Sequence, residues 1–133
     1  PATIDRLLPV VDLFVVGDIA AQSYFGSGGD DAAAALSERN VSRAAVTQGA
    51  EGALLVHEGR VTEIPAFDVD VEDTTGAGDT FTAGLIHTWM RESHSARDAG
   101  RFAAAAAALN CTAVGARGTL PAASDVRAFL SSQ

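Results

Sequence analysis

The chain has no lysine. Its nine cationic side chains are all arginine, set against seventeen carboxylates, for a net charge of −8. A phosphate loop of the Gly-x-x-x-x-Gly-Lys type is therefore excluded. The acidic balance also argues against nucleic acid as a partner, because phosphate contacts dominate that affinity and need basic patches. Cys111 is the single cysteine, so no intrachain disulfide forms, and it reads as a small buried residue rather than a nucleophile. His57, His87 and His94 lack metal-ligand spacing and are expected to face solvent. Long apolar runs are missing as well. The longest, around Ala103 to Leu109, falls far short of the ~20 residues that span a bilayer. With no secretory signal pattern visible, the expectation is a cytoplasmic chain without a membrane partner.

What is present is an alternation of short apolar runs and helical patterns, with 47% hydrophobic residues. Leu13–Val16 and Ala44–Thr47 read as buried strands, and Asp30–Arg39 as an alanine-rich helix after the loop Gly26-Ser27-Gly28-Gly29. Ala53–His57 and Arg60–Ile64 flank Glu58-Gly59, a hairpin signal. Phe67, Val69 and Val71 alternate with acidic residues, which predicts a half-buried strand. Three helices follow. The first starts at about Asp79, with Phe81, Leu85 and Trp89 on one face. The second runs from about Ala96 to Asn110 with Ser95 and Asp98 as capping pair, its six alanines Ala103–Ala108 suited to close packing. The third follows Ser124, with Val126, Phe129 and Leu130 facing inward. Strands alternating with helices predict a three-layer α/β/α fold, whose ligand site lies beyond the strand C-termini.

The segment Asp73-Thr74-Thr75-Gly76-Ala77-Gly78-Asp79 carries the chemistry. Two glycines permit backbone angles closed to other residues and let a ligand approach the chain. Free amides of Gly76, Ala77, Gly78 and Asp79 at a helix N-terminus would then converge into an anion site. Asp79 either caps that helix or takes the proton of an attacking hydroxyl. A dinucleotide fingerprint is excluded by Phe81, which stands where a third small residue is needed. A calcium loop beginning at Asp68 is excluded because Asp73 stands where that loop needs glycine, and Asp79 where it needs glutamate.

The run Val71 to Phe81 followed by Ala83-Gly84 closely resembles the second signature of the ribokinase-like (PfkB) sugar kinases. Thr47-Gln48-Gly49-Ala50-Glu51-Gly52 resembles that family's Thr-x-Gly-x-x-Gly nucleotide loop. Ala106 to Pro121 resembles the helix and loop closing its adenine and monovalent-cation sites. The pattern Phe14 to Ala20, with Ala99 to Ala103, is similar to the ketohexokinase-like branch. The resemblance implies a ribokinase-like fold, with residues 1–133 as its C-terminal nucleotide-binding and catalytic portion, the central sheet incomplete and the β-sheet lid absent. It also implies ATP-dependent phosphorylation of a sugar hydroxyl, with magnesium and, in cation-dependent relatives, potassium. A homodimer through the absent lid is the expected assembly.

By position, the resemblance makes Asp79 the catalytic base and the amides of Gly76, Ala77 and Gly78 the anion hole. Thr47, Gly49, Gly52 and Asn110 lie against the nucleotide, and Asp73, Thr75, Asn110, Ala113, Gly115 and Thr119 match groups around a monovalent cation. One departure stands out. Many relatives carry Asn-x-x-Glu where this chain has Gly17 and Ala20, neither of which ligates a metal through its side chain. Two alternatives therefore remain: a nucleoside kinase, and a nucleotide-binding or regulatory module with impaired catalysis. Pro1 and the helical pattern of Ile4, Leu7 and Leu8 read as an entry in mid-fold. The expectation is the C-terminal part of a longer polypeptide, inactive alone.

Overall fold

The computed structural model describes residues 2–69, 76–112 and 121–133, and the chain divides into two compact units, Pro1–Ile64 and Pro65–Gln133.

The first unit is built on a four-stranded sheet in sequence order: β1 (Phe14–Gly17), β2 (Arg43–Thr47), β3 (Ala53–His57) and β4 (Arg60–Ile64). β1 and β2 are parallel, Phe14 opposite Ala44 through Gly17 opposite Thr47. From β2 to β4 the strands are antiparallel. The β3–β4 hairpin has the bounds expected from its sequence. Its two turn residues, Glu58 at φ 52° and Gly59 at φ 74°, both take left-handed angles, the requirement of a two-residue turn whose twist matches its strands. β1 begins one residue later than its apolar run suggests, because pairing with β2 sets its limits.

Helices fill the parallel connection, as a β-crossover demands. A short helix α1 (Ala2–Leu7) and a 3-10 turn over Leu8–Val10 precede β1. Leu8 is buried, whereas Leu7 is exposed. Helix α2 (Asp18–Phe25) was not expected from the sequence, since Ala21 is its only buried residue. Gly26 ends it at φ 78°, donating its N–H to the Gln22 carbonyl at 2.9 Å. Helix α3 (Gly29–Ser37) presents Ala32, Ala33 and Leu36 inward and Asp30 and Asp31 in its first turn, where carboxylates complement the helix dipole. The core joins those residues to Leu8, Val16, Ala44, Val46, Leu54 and Val56.

The second unit is helical among the described residues. Helix α4 (Ala77–Leu85) runs on into a π-type segment, Ile86–Arg91. Phe81, Leu85 and Trp89 are buried, as their four-residue spacing predicts. Helix α5 (Ala96–Cys111) is capped by Ser95, whose hydroxyl accepts from the Asp98 N–H at 3.1 Å. In α6 (Ala123–Ser131), Val126 is buried and Phe129 and Leu130 are half-buried. Residues 67–69 form no strand. Phe67 instead meets the Phe129 ring edge-on at 5.2 Å between centroids, with the Arg101 guanidinium 5.4 Å from its own centroid. Val71, the third apolar position of the expected strand, lies outside the described residues.

Candidate active site

Thr47 closes β2, and the loop after it is shaped by its glycines. Gly49 at φ 58° opens a single 3-10 turn over Gly49–Glu51, and Gly52 at φ 102° and ψ −141° closes it in a region essentially confined to glycine. The Gln48 N–H donates to the Gly52 carbonyl at 2.8 Å, and the Gly52 N–H to the Gly49 carbonyl at 3.1 Å. Beyond the C-terminal ends of the parallel strands β1 and β2 lies a cleft of roughly 740 Å³, walled by Gly17, Asp18, Ala20, Thr47, Gln48 and Gly49. A β-carbon at Gly17 would lie 3.7 Å from the Thr47 hydroxyl, an ordinary contact, so packing does not forbid a side chain there.

In the second unit, Gly76 sits at φ 81° and caps α4 without a side-chain hydrogen bond. The helix therefore starts at Ala77, two residues earlier than expected, and Asp79 occupies its third position. Asp79 is not the N-cap. The first helical bond runs from the Thr80 N–H to the Gly76 carbonyl at 2.9 Å, and the Thr80 hydroxyl reaches the same carbonyl at 2.9 Å. The amides of Ala77, Gly78 and Asp79 precede that bond and, among the described residues, are the unpaired donors of a helix N-terminus. A β-carbon at Gly78 would meet open space, so a ligand can come up against this turn. The Asp79 side chain is exposed and makes no hydrogen bond or ion pair among the described residues.

Asp79 and Gly76 border a second cleft, of roughly 520 Å³, whose walls include Thr80, Ala83, His87, Phe102, Ala106 and Val126. His87 departs from expectation. It is half-buried rather than solvent-facing, lines this cleft, and lies 5.7 Å from the Phe102 ring between centroids. The signal was in the sequence: positions 79, 83 and 87 share one face at four-residue spacing. Beyond it, Glu92 Oε1 lies 3.7 Å from His87 Nε2, 3.6 Å from His94 Nε2 and 3.3 Å from Arg127 Nη2. His57 is also half-buried, its Nδ1 2.8 Å from the Ser42 carbonyl oxygen, while His94 is exposed as expected. Cys111 is half-buried, not buried.

The expected site residues thus fall into three groups. Thr47, Gly49 and Gly52 form one loop of the first unit; Gly76, Ala77, Gly78 and Asp79 form one helix terminus of the second. Asn110 is buried in the last turn of α5. Asp73, Thr75, Ala113, Gly115 and Thr119 lie outside the described residues. Among the described residues no helix is long and apolar enough to cross a membrane.

Comparison with known proteins gives one consistent result. The model of the pfkB family of carbohydrate kinases matches residues 1–123. A ribokinase of Haemophilus influenzae is 33% identical over 132 residues, which cover 95% of this chain and 43% of the relative. The structure of aminoimidazole riboside kinase from Salmonella enterica, complexed with aminoimidazole riboside and an ATP analogue, superposes with a TM-score of 0.82 at 32% identity. It covers 98% of this chain and 46% of that one. A Vibrio cholerae fructokinase holding fructose, ADP and a potassium ion gives a TM-score of 0.79 at 28% identity over 97% of this chain and 44% of that one. The fold is the α/β fold of these kinases, and the chain spans less than half the length of each of these three proteins.

Proposed function

The chain belongs to the pfkB family of carbohydrate kinases, and from that premise we propose that it is the nucleotide-binding and catalytic part of an enzyme that phosphorylates a sugar hydroxyl with ATP. The observation that carries this reading is the start of α4. Among the described residues, a left-handed glycine leaves three consecutive amides unpaired, and the third belongs to an aspartate whose carboxylate has no partner there. An exposed carboxylate beside those amides stands where a base for an incoming hydroxyl is needed.

In this mechanism Asp79 takes the proton from the acceptor hydroxyl as its oxygen attacks the γ-phosphorus. The bond from that phosphorus to the β,γ-bridging oxygen breaks, leaving the sugar phosphate and ADP. The amides of Ala77, Gly78 and Asp79, with the adjoining Gly76 turn, stabilise charge on the transferring phosphoryl group. By the family pattern, the Thr47–Gly52 loop and Asn110 are each nucleotide-binding positions. Gly17 and Ala20 supply no side-chain ligand for a metal ion. Magnesium would therefore enter as a hydrated ion on the ATP oxygens, where it neutralises phosphate charge. A potassium ion would be held by Asp73, Thr75, Asn110, Ala113, Gly115 and Thr119.

The test is ADP production by the full-length gene product against a panel of sugars and nucleosides. Turnover with a sugar, abolished in Asp79→Asn while ATP binding persists, is the expected result. Turnover restricted to nucleosides would assign the acceptor to the class that the riboside kinase relative represents. No turnover with either would leave a nucleotide-binding module, the reading that Gly17 and Ala20 favour.

A further inference from the structure

Beside the first cleft, one carboxylate ties the turn before α3 to the start of α2. Asp18, the first residue of α2, accepts the Gly29 N–H on Oδ1 at 2.6 Å, bridging eleven residues of sequence. The bond brings the start of α3 against the start of α2. A β-carbon at Gly28 would collide with the Asp18 carboxylate, so only glycine admits the contact. On its other side, a β-carbon at Gly29 would stand 3.1 Å from Gln48 Nε2. Gln48 is the second residue of the Thr47–Gly52 loop, and its own N–H closes that loop on Gly52. Asp18, Gln48 and Thr47 all line the same cleft.

We propose that Asp18 is a positioning residue for the nucleotide loop: by holding Gly28–Gly29 against Gln48, it sets the loop in the conformation that receives ATP. The inference rests on the kinase reading above. It follows from the Asp18–Gly29 hydrogen bond, from Gln48 lying so near Gly29 that an added β-carbon would crowd it, and from their place at the C-terminal ends of two parallel strands, where α/β folds receive ligands. With the hydrogen bond removed, the Gly26–Gly29 connection has no other side-chain tether among the described residues. Gln48 then loses its backing. The acceptor end of the reaction is untouched, so the defect should fall on ATP alone.

The experiment compares full-length wild type with Asp18→Ala, Asp18→Asn, Gly28→Ala and the double variant Asp18→Ala/Gly28→Ala. It reads ATP binding by calorimetry, and kcat and both KM values by steady-state kinetics. The loss of one hydrogen bond to a charged acceptor predicts an ATP affinity about tenfold weaker in Asp18→Ala, with kcat and the sugar KM unchanged. Asn keeps an oxygen acceptor and should restore most of the affinity. Gly28→Ala should reproduce the defect with Asp18 in place. The double variant, in which the collision is relieved, should be no worse than either single one. Equal ATP binding by wild type and Asp18→Ala would overturn the proposal, as would parallel losses in kcat and both KM values, or failure of Asn to restore binding. Should Asp18→Ala fail to fold, the Asn and Gly28→Ala variants decide on the same criteria. A wild type that binds no ATP would overturn the kinase reading itself, a distinct result.

Discussion

Gly84 of α4 lies against Ala103 of α5 so closely that a β-carbon at position 84 would stand 2.8 Å from the Ala103 Cα. The obstacle is backbone, so no rotamer change relieves it. Gly84→Ala sets two effects against each other. Alanine gains roughly 0.5–1 kcal/mol over glycine in a helix interior, whereas overpacking a tight contact costs about 1–3 kcal/mol. The second effect wins, and the variant should be less stable by on the order of 1 kcal/mol. Chemical denaturation followed by Trp89 fluorescence measures it, since the single tryptophan is buried in this unit. A variant as stable as wild type would show that α5 can slide away from α4.

Arg39 makes three contacts at once in the first unit. Its Nε donates to Asp5 Oδ1 at 2.8 Å, its Nη1 donates to the Ala35 carbonyl, and its guanidinium lies 5.2 Å from the Phe25 centroid. The hydrogen bond from Arg39 holds the Asp5 carboxyl below its ordinary value of 3.8. The sign follows. Asp5 contributes stability that is fully present above about pH 3.8 and is lost as pH falls through the lower, folded value. Wild type should therefore be more stable than Asp5→Asn at neutral pH, and the two should converge below that range. Because Asp5 is exposed, added salt should narrow the gap as well. Urea midpoints of both proteins across pH 2–7 test this; a gap that does not close on acidification would exclude the ion pair as its source.

Elements whose signal was local were legible in the sequence, and those fixed by distant contacts were not. The hairpin at Glu58-Gly59 and the Ser95 cap are written in neighbouring residues and occur where expected. Helix α2 has a one-residue buried stripe, too little for periodicity to register. Phe67 and Val69 alternate like a strand, yet Phe67 is drawn to Phe129 sixty-two positions away in number and adjacent in space. The candidate site divides the same way. The glycines at 49, 52 and 76 are readable because each takes a positive-φ backbone angle that glycine adopts without steric cost and other residues rarely adopt. Asp18 is silent in the sequence, since its partner Gly29 comes into reach only when α2 and α3 have formed.

Ser95→Ala should cost about 1 kcal/mol, the usual worth of an N-cap hydroxyl, because its Oγ accepts the Asp98 N–H at the head of the longest helix described. Ser95→Asp should retain most of the stability, as it keeps an acceptor and adds charge favourable to the helix dipole. Thermal unfolding by circular dichroism separates the two variants. Equal melting for Ala and wild type would mean that water replaces the cap at no net cost.

Glu58 holds φ 52° at the first turn position of the β3–β4 hairpin. For an L-residue other than Asn, Asp or Gly, that angle carries strain of roughly 1 kcal/mol. Glu58→Asn should therefore stabilise the protein by several tenths of a kcal/mol. One contact opposes it: Glu58 Oε1 lies 3.6 Å from His57 Nε2. With the Glu58 side chain 80% exposed, that pair is a surface interaction worth little even when the histidine is charged. The strain should outweigh it. Urea midpoints of wild type and Glu58→Asn at pH 8 decide the question. A less stable variant would mean that the turn is held by Glu58 itself rather than by its backbone angle.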